Sequence, residues 1–178
     1  MTSQRALVAA GLVLAAACSR GFSDQDAEKL VRTYIQRLIE AYRASDAQIA
    51  DPVVSDRQGL KLTGLVGVKR DADLNMEAQV LELKFLSFKR EAGAVLVETE
   101  ERWHYRDLQI GTGKQVGEES TDSYHLRYRL AQEKGRWVVD QIEFAAPPQV
   151  GRKAAPMAID PRVLHGLPPK GAEGEGKP

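Results

Sequence analysis

Three side chains on predicted strands could carry acid–base chemistry: Asp122, Tyr124 and Asp140. An enzyme that moves a proton next to a carbonyl needs a carboxylate in an apolar pocket and a donor aimed at the oxygen that gains charge. The alternation in the last predicted strand places Asp140 on the same face as Val138 and Ile142, so its carboxylate could point inward. The alternative is a structural role, in which Asp140 bonds to a turn or pairs with an arginine.

Aromatic side chains recur on the apolar faces of the predicted elements. They could line a hollow that holds a small molecule, or they could pack as core against the first helix. The residues that we expect to line any such pocket are Tyr34, Trp103, Tyr105, Tyr124, Tyr128 and Asp140. Their types and spacing do not define a catalytic set.

Two histidines and a glutamate could form a metal-like cluster on the polar face of the sheet: His104, His125 and Glu100. Metal sites require ligands at matched distances that are themselves held by hydrogen bonds, and the alternative is that these are solvated strand residues. Gly111-Thr112-Gly113-Lys114 lacks the spacing of a phosphate-binding loop and is typical of a turn. The sequence predicts neither a metal nor a cofactor.

The overall charge is balanced, with 25 Lys+Arg against 25 Asp+Glu and a formal net charge of +0. The two signs are mixed along the chain, and no basic stripe is available to neutralise phosphates. This pattern argues against nucleic acid as a partner. The length of 178 residues favours one domain with a core of its own.

The first eighteen residues have the layout of an export signal. Arg5 precedes an unbroken apolar run over residues 6–17, and the run leads directly into Cys18, the only cysteine in the chain. This segment resembles a bacterial lipoprotein signal, which implies that residues 1–17 are removed and that Cys18 carries acyl chains such as palmitate. Ser19 after the cysteine then implies the outer membrane, with the domain facing the periplasm. The alternative is ordinary cleavage near residue 17, which would release the protein.

Two helices are predicted at the start of the domain. Ser23 and Asp26 have the spacing of a capping box, and apolar residues then recur at three- and four-residue steps for about 20 residues. A second helix is predicted over residues 56–70, beginning after Ser55 and separated from the first by Asp51-Pro52.

Four strands follow, because the period of the apolar residues changes from 3.6 to 2 after Met76. The pattern predicts strands over residues 78–89, 94–108, 120–131 and 136–144, with Leu81, Leu83 and Phe85 on one face of the first. Long strands joined by short turns indicate an antiparallel meander with one buried and one wet face.

Charge complementarity predicts the register of the long central hairpin. Opposing Glu98 to Arg129 and Glu100 to Arg127 pairs opposite charges and sets Trp103 beside Tyr124. If the third predicted strand were shifted by two residues so that Arg102 faced Arg127, the two like charges would repel each other. The preferred register places the tip of the hairpin at Thr112-Gly113-Lys114-Gln115.

Helices followed by consecutive antiparallel strands indicate an α+β fold. With Glu101-Arg102-Trp103-His104-Tyr105 and Gly135-Arg136-Trp137-Val138-Val139-Asp140, the chain resembles the NTF2-like, cystatin-like superfamily. The resemblance implies N-terminal helices packed on a curved four-stranded antiparallel sheet over residues 24–146. Residues 18–23 are then the lipidated N-terminus and a short linker, and 147–178 a Pro/Gly-rich and largely disordered tail, in which Met157, Ile159, Val163 and Leu164 could dock on the domain.

Two functions remain open at this stage. One is a lipid-anchored accessory or binding module of the bacterial cell envelope, without catalytic activity, that engages a partner protein. The other is a small-molecule binder, lyase or isomerase that uses the hollow between helix and sheet. The second predicts a cavity of several hundred Å³ with at least one buried polar group. The sequence does not fix the oligomeric state.

Overall fold

The computed structural model describes residues 21–151. The predicted signal peptide, the predicted lipidation site Cys18 and most of the predicted tail lie outside these residues.

Helix α1 spans Asp24–Ala44 and begins with the predicted capping box. The Ser23 hydroxyl accepts from the Asp26 amide at 3.2 Å, and the Asp26 carboxylate accepts from the Ser23 amide at 2.9 Å. This reciprocal pair satisfies backbone donors that the first turn leaves free. The residues that α1 buries lie on one stripe: Ala27, Val31, Tyr34, Ile35 and Ala41.

A short 3-10 helix, Ala47–Val53, leads into helix α2, Asp56–Asp71. Pro52 lies inside the 3-10 helix and interrupts the helical run at the predicted place. Ser55 is the N-cap of α2, since its hydroxyl accepts from the Gln58 amide at 3.2 Å. The amide of Ser55 also donates to the Val139 carbonyl at 3.0 Å, which ties the start of α2 to the sheet.

The four predicted strands are present and lie side by side in chain order, all antiparallel. They are β1 (Leu74–Glu91), β2 (Ala94–Gln109), β3 (Gln115–Glu133) and β4 (Arg136–Phe144). The prediction of an α+β fold with helices on a four-stranded antiparallel sheet is therefore confirmed.

Two bulges in β1 interrupt the strict alternation. Leu81 and Leu86 have no opposing residue in β2, and both are exposed. Leu83 and Phe85 pack against the core as predicted, whereas Leu81 is not part of that core cluster. Bulges increase the local twist and bend of a strand, which fits the curvature of this sheet.

The predicted register of the β2–β3 hairpin is wrong by two residues. Glu98 opposes Arg127, Glu100 opposes His125 and Trp103 opposes Asp122. The turn lies earlier than predicted, between Gln109 and Gln115, and a bulge near the start of β3, between Val116 and Ser120, then adds residues to that strand. Charge alone did not reveal the error, because Glu98 faces an arginine in either register.

The helices pack on one face of the sheet, which we call the concave face. Its core combines Val31 of α1 and Leu62 of α2 with Val97 and Leu130 of the sheet. The opposite, convex face is polar, with the residues Glu77, Glu82, Lys84, Glu98, Glu100, Arg102, His104, Arg106, His125, Arg127 and Arg129. Cross-strand ion pairs join Arg106 to Glu77 and Arg127 to Glu98. No helix within residues 21–151 is long and apolar enough to cross a membrane.

The chain after β4 returns along the edge of β3. The amide of Ala145 donates to the His125 carbonyl at 2.8 Å, and Gln149 and Ser123 exchange two backbone hydrogen bonds of 2.8 and 2.9 Å. The first residues of the predicted tail thus lie against the sheet, as far as Gly151.

Candidate functional site

A cavity of about 500 Å³ opens between the helices and the concave face. Both helices and three strands contribute to it, together with the segment after β4. Its lining residues are Leu38, Tyr42, Leu65, Val68, Lys69, Met76, Trp103, Tyr105, Asp107, Ser120, Asp122, Tyr124 and Val150. The lining is largely apolar with a few polar groups, which is the usual make-up of a small-molecule site.

Three of the six residues predicted for a pocket line this cavity: Trp103, Tyr105 and Tyr124. The other two tyrosines lie in the core, where the Tyr34 and Tyr128 rings meet edge to face with centroids 6.1 Å apart. Asp140 lies elsewhere, and its carboxylate pairs with Arg57 at 2.8 Å and with Arg129. The structural alternative for Asp140, pairing with arginine, is what the structure contains.

The aromatic part of the lining is a stack on β2. The Trp103 and Tyr105 rings are 5.7 Å apart and nearly parallel, with an interplanar angle of 3°. They are two residues apart on one strand, so the pleat places both on the concave face. Together they form a flat apolar wall.

Asp122 opposes Trp103 on the neighbouring strand and lines the cavity beside the aromatic wall. It is 6% exposed and accepts hydrogen bonds from the Ser120 hydroxyl, the Tyr124 hydroxyl at 3.0 Å and the Gly151 amide at 3.0 Å. Three donors already occupy it, so its geometry suits the positioning of its neighbours better than the removal of a proton.

Burial keeps the phenols of the cavity protonated. It raises the pKa of Tyr124 to about 12, and the hydrogen bond with Asp122 adds to this shift while the one with Tyr105 opposes it. Burial also raises the pKa of Tyr105 above its usual value, as does the hydrogen bond with Tyr124. Neutral phenols offer hydrogen bonds to a ligand, but they are not bases near neutral pH.

A second polar group lies at the α2 side of the cavity. The Lys69 ammonium is 2.8 Å from both carboxylate oxygens of Asp107. Asp107 is buried, and Lys69 is about one-third exposed. The pair places opposite charges in the lining and joins the end of α2 to β2.

Sequence reasoning missed a buried carboxylate that contacts the aromatic wall of the cavity. Glu101 is 2% exposed and accepts hydrogen bonds from the Thr99 hydroxyl at 2.8 Å, the Trp103 indole at 2.7 Å and the Tyr128 hydroxyl at 2.6 Å. The sequence did contain a sign of this burial, because Glu101 is an even number of residues from Val97 and Trp103 and therefore lies on the same face of the strand. Glu101 thus orients one ring of the aromatic wall.

The two histidines that could have formed a metal-like cluster with Glu100 are not assembled into a ligand set. His104 contacts Glu119 at 3.2 Å, whereas His125 lies 3.7 Å from Glu98. Within residues 21–151, no group of three or more His, Cys, Asp or Glu is placed to hold a metal ion.

Comparisons with known proteins give the fold and not the activity. No protein-family model matches the sequence, and no curated protein matches it. The intermembrane space region of the chloroplast protein ARC6 is similar in structure, with a TM-score of 0.61 and 16% identity over 70% of this chain and 98% of that one. A periplasmic fragment of TraM has a TM-score of 0.50 and 11% identity, over 72% and 98%. An Ntf2-like protein involved in plasmid conjugation has a TM-score of 0.48 and 12% identity, over 68% and 48%.

Proposed function

We propose that the protein is a lipid-anchored accessory module of a bacterial cell envelope, which engages a partner protein and does not catalyse a reaction. The observation that carries the non-catalytic part is the state of the two candidate carboxylates. Asp140 is held by two arginines, and Asp122 already accepts three hydrogen bonds. Neither is placed as a free base in an apolar pocket.

The location rests on the segment that ends at Cys18. Its apolar run and cysteine resemble a lipoprotein signal, and Ser19 favours the outer membrane. A periplasmic fragment and an intermembrane-space region share this fold, so the fold is compatible with such compartments. Several acyl chains on one cysteine would hold the domain at the membrane, since each buried methylene contributes about 0.8 kcal/mol.

Replacing Cys18 tests the anchor. We expect Cys18→Ser to move the protein from the membrane fraction to the soluble fraction, because no acyl chain can then be attached through a thioether. Ser19→Ala is the matched control for a small change beside the cleavage point, and it should stay with the membrane. Immunoblotting of fractionated cells measures both, and a Cys18→Ser protein that stays in the membrane contradicts the anchor.

The convex face is the surface that we propose for the partner. It is a broad polar surface on which several charges are already paired within the sheet, whereas Arg102 is exposed and faces Glu82 of β1, whose carboxylate forms its ion pair with Lys84. A partner with acidic groups would find this arginine available, and charge pairs across an interface contribute mainly to specificity and association rate.

A detergent pull-down with crosslinking tests the partner. We expect a stoichiometric protein from the native envelope to be captured by the wild type and at least about tenfold less by Arg102→Glu, because the reversed charge repels an acidic surface. Lys61→Glu makes the same change on α2, away from the sheet, and should capture the partner normally. Equal capture by both variants would remove the convex face from the proposal, and reproducible failure to capture any protein would remove the partner.

The cavity favours a second function, the binding of an apolar small molecule. It has the size predicted for such a site, and three polar residues of its lining, Asp107, Ser120 and Asp122, are less than a tenth exposed. Native mass spectrometry of the purified chain should then detect a bound metabolite. Val68→Trp, which fills the opening, should abolish the signal, and Leu60→Trp, on the same helix but outside the cavity, should not.

A further inference from the structure

The rim of the cavity is apolar and open to solvent. Leu65 and Val68 of α2 line it and are 58% and 65% exposed, and Val150 lines it and is 51% exposed. Apolar area next to a cavity is typical of a surface that another group covers, because each Å² removed from water contributes about 25 cal/mol.

The described chain leads directly to this rim. After it pairs with β3 through Gln149, it contributes Val150 to the lining, and the Gly151 amide donates to the Asp122 carboxylate at 3.0 Å. Asp122 points to the concave side of the sheet and itself lines the cavity. The chain therefore crosses the edge of β3 toward the cavity at Gly151.

The crossing point admits no side chain. A Cβ added at Gly151 would lie 2.5 Å from the Thr121 carbonyl oxygen, a backbone atom that cannot move aside without disturbing the strand. The close approach fixes the direction in which the chain leaves the sheet. Glycine at this position thus has a definite structural role.

The sequence that follows is suited to an apolar surface. Residues 154–164 contain four large apolar side chains, Met157, Ile159, Val163 and Leu164, and one residue of each charge. Six residues lead from Gly151 to Met157, which allows a span of up to about 20 Å. This length is ample for a cavity whose own lining includes the preceding residue.

We infer that residues 154–164 of this chain cover the cavity, with Met157 and Ile159 packed against Leu65 and Val68. A tethered segment has an effective concentration in the millimolar range, so a modest contact is enough to keep it in place. The segment then acts as a built-in competitor, and any ligand or partner side chain that enters the cavity must displace it. The inference does not depend on the proposed function, because it concerns the same chain with or without a lipid anchor.

Disulfide trapping in the full chain tests the contact. Leu65→Cys is combined with Met157→Cys, and the control combines Leu60→Cys with Met157→Cys. Leu60 is on the same helix and is 76% exposed, but it does not line the cavity. We expect the 65–157 link to form at least about tenfold faster than the 60–157 link, because docking raises the local concentration at one site and not at the other. Mass spectrometry of the linked peptides separates these links from any that involve Cys18.

Labelling of Val68→Cys by a maleimide provides a second measurement. In the purified full chain, adding Met157→Asp and Ile159→Asp should speed labelling at least about fivefold, since the apolar contact is lost. Ala172→Asp, further along the chain, should leave the rate unchanged. Gly151→Ala should also speed labelling, because it disturbs the crossing point.

Two results would overturn the inference. If the 65–157 and 60–157 links form at equal rates and the aspartate variants label at the wild-type rate, nothing in the chain covers the rim. If Val68→Cys is protected in the native envelope and labels freely in the purified chain, the cover is a partner protein or a ligand.

Discussion

Glu101 brings a carboxylate into the core of the domain and keeps it there with three neutral donors. Thr99, Trp103 and Tyr128 all direct a hydrogen to it. Each of these donors is itself buried, so the group is a closed hydrogen-bonded network. Such a network stabilises the fold only while every member is satisfied, because a buried polar group without a partner costs free energy.

Replacing Glu101 by glutamine keeps the shape and removes part of the network. The amide nitrogen has no lone pair to accept from Trp103 or Tyr128, so at least one buried donor loses its partner. We expect Glu101→Gln to lower the free energy of unfolding by about 2–4 kcal/mol. Glu100→Gln, one residue earlier on the exposed convex face, should change it by less than about 0.5 kcal/mol. Urea unfolding followed by tryptophan fluorescence measures both, and similar values for the two would contradict a stabilising role for Glu101.

The position of Asp140 shows where alternation along a strand stops predicting which face a residue occupies. The pattern Val138, Asp140, Ile142 predicts a shared face, and the real strand has a bulge at this place, since Leu130 opposes Val139 and Arg129 opposes Gln141. The bulge leaves both Val138 and Val139 buried and frees Asp140 to pair with arginines. The alternating pattern of the sequence does not mark the bulge, because an extra residue only shifts which face the following residues occupy.

At the scale of elements, the ends of the helices were predictable because local chemistry sets them. Ser23 and Ser55 cap their helices through hydrogen bonds to residues three positions later, and those spacings are visible in the sequence. The positions of the strands were also predictable, because apolar residues alternate with polar ones along each strand with a period of two. The register of β2 and β3 was not, since several registers pair opposite charges and the deciding features are the turn and the bulge near Gly117.

The two caps differ in their surroundings, and this difference predicts different effects of the same change. Ser55 is 1% exposed and also donates to the Asp140 carbonyl at 3.3 Å, and α2 contains three glycines that weaken it. We expect Ser55→Ala to lower the free energy of unfolding by about 1–2 kcal/mol and Ser23→Ala, at an exposed cap, by about 0.5–1 kcal/mol. Chemical denaturation of the two variants side by side checks the order, and a larger loss for Ser23→Ala would contradict it.

At the scale of the whole molecule, the sequence allowed us to expect a cavity between helix and sheet, but only some of the residues that line it. Trp103, Tyr105 and Tyr124 were expected because Trp103 and Tyr105 lie on the apolar face of β2, and Tyr124 lies on the apolar face of β3. Lys69 and Asp107 were not, because their pairing depends on where the end of α2 lies over the sheet. Sequence periodicity gives the face that each residue occupies, but it gives no distance between a helix and a strand that are far apart in the chain.

All five tyrosines of the chain share one property of the whole fold. Burial is the largest cause that raises the pKa of each of them, namely Tyr34, Tyr42, Tyr105, Tyr124 and Tyr128. In the unfolded chain each phenol loses its proton near pH 10, whereas in the folded protein it keeps it to higher pH. Between these values the unfolded state binds fewer protons than the folded state, so stability falls as pH rises.

We therefore expect a steep loss of stability above about pH 10, by up to about 1.4 kcal/mol per pH unit for each tyrosine that stays protonated in the fold. Absorbance of tyrosinate should stay low until the domain unfolds and then rise together with the loss of circular dichroism. Tyr124→Phe removes one of these protons and should make the decline shallower by that share. Tyrosinate absorbance that rises near pH 10 while the circular dichroism stays native would show that these side chains are open to water, and that the helices do not close over the sheet as described.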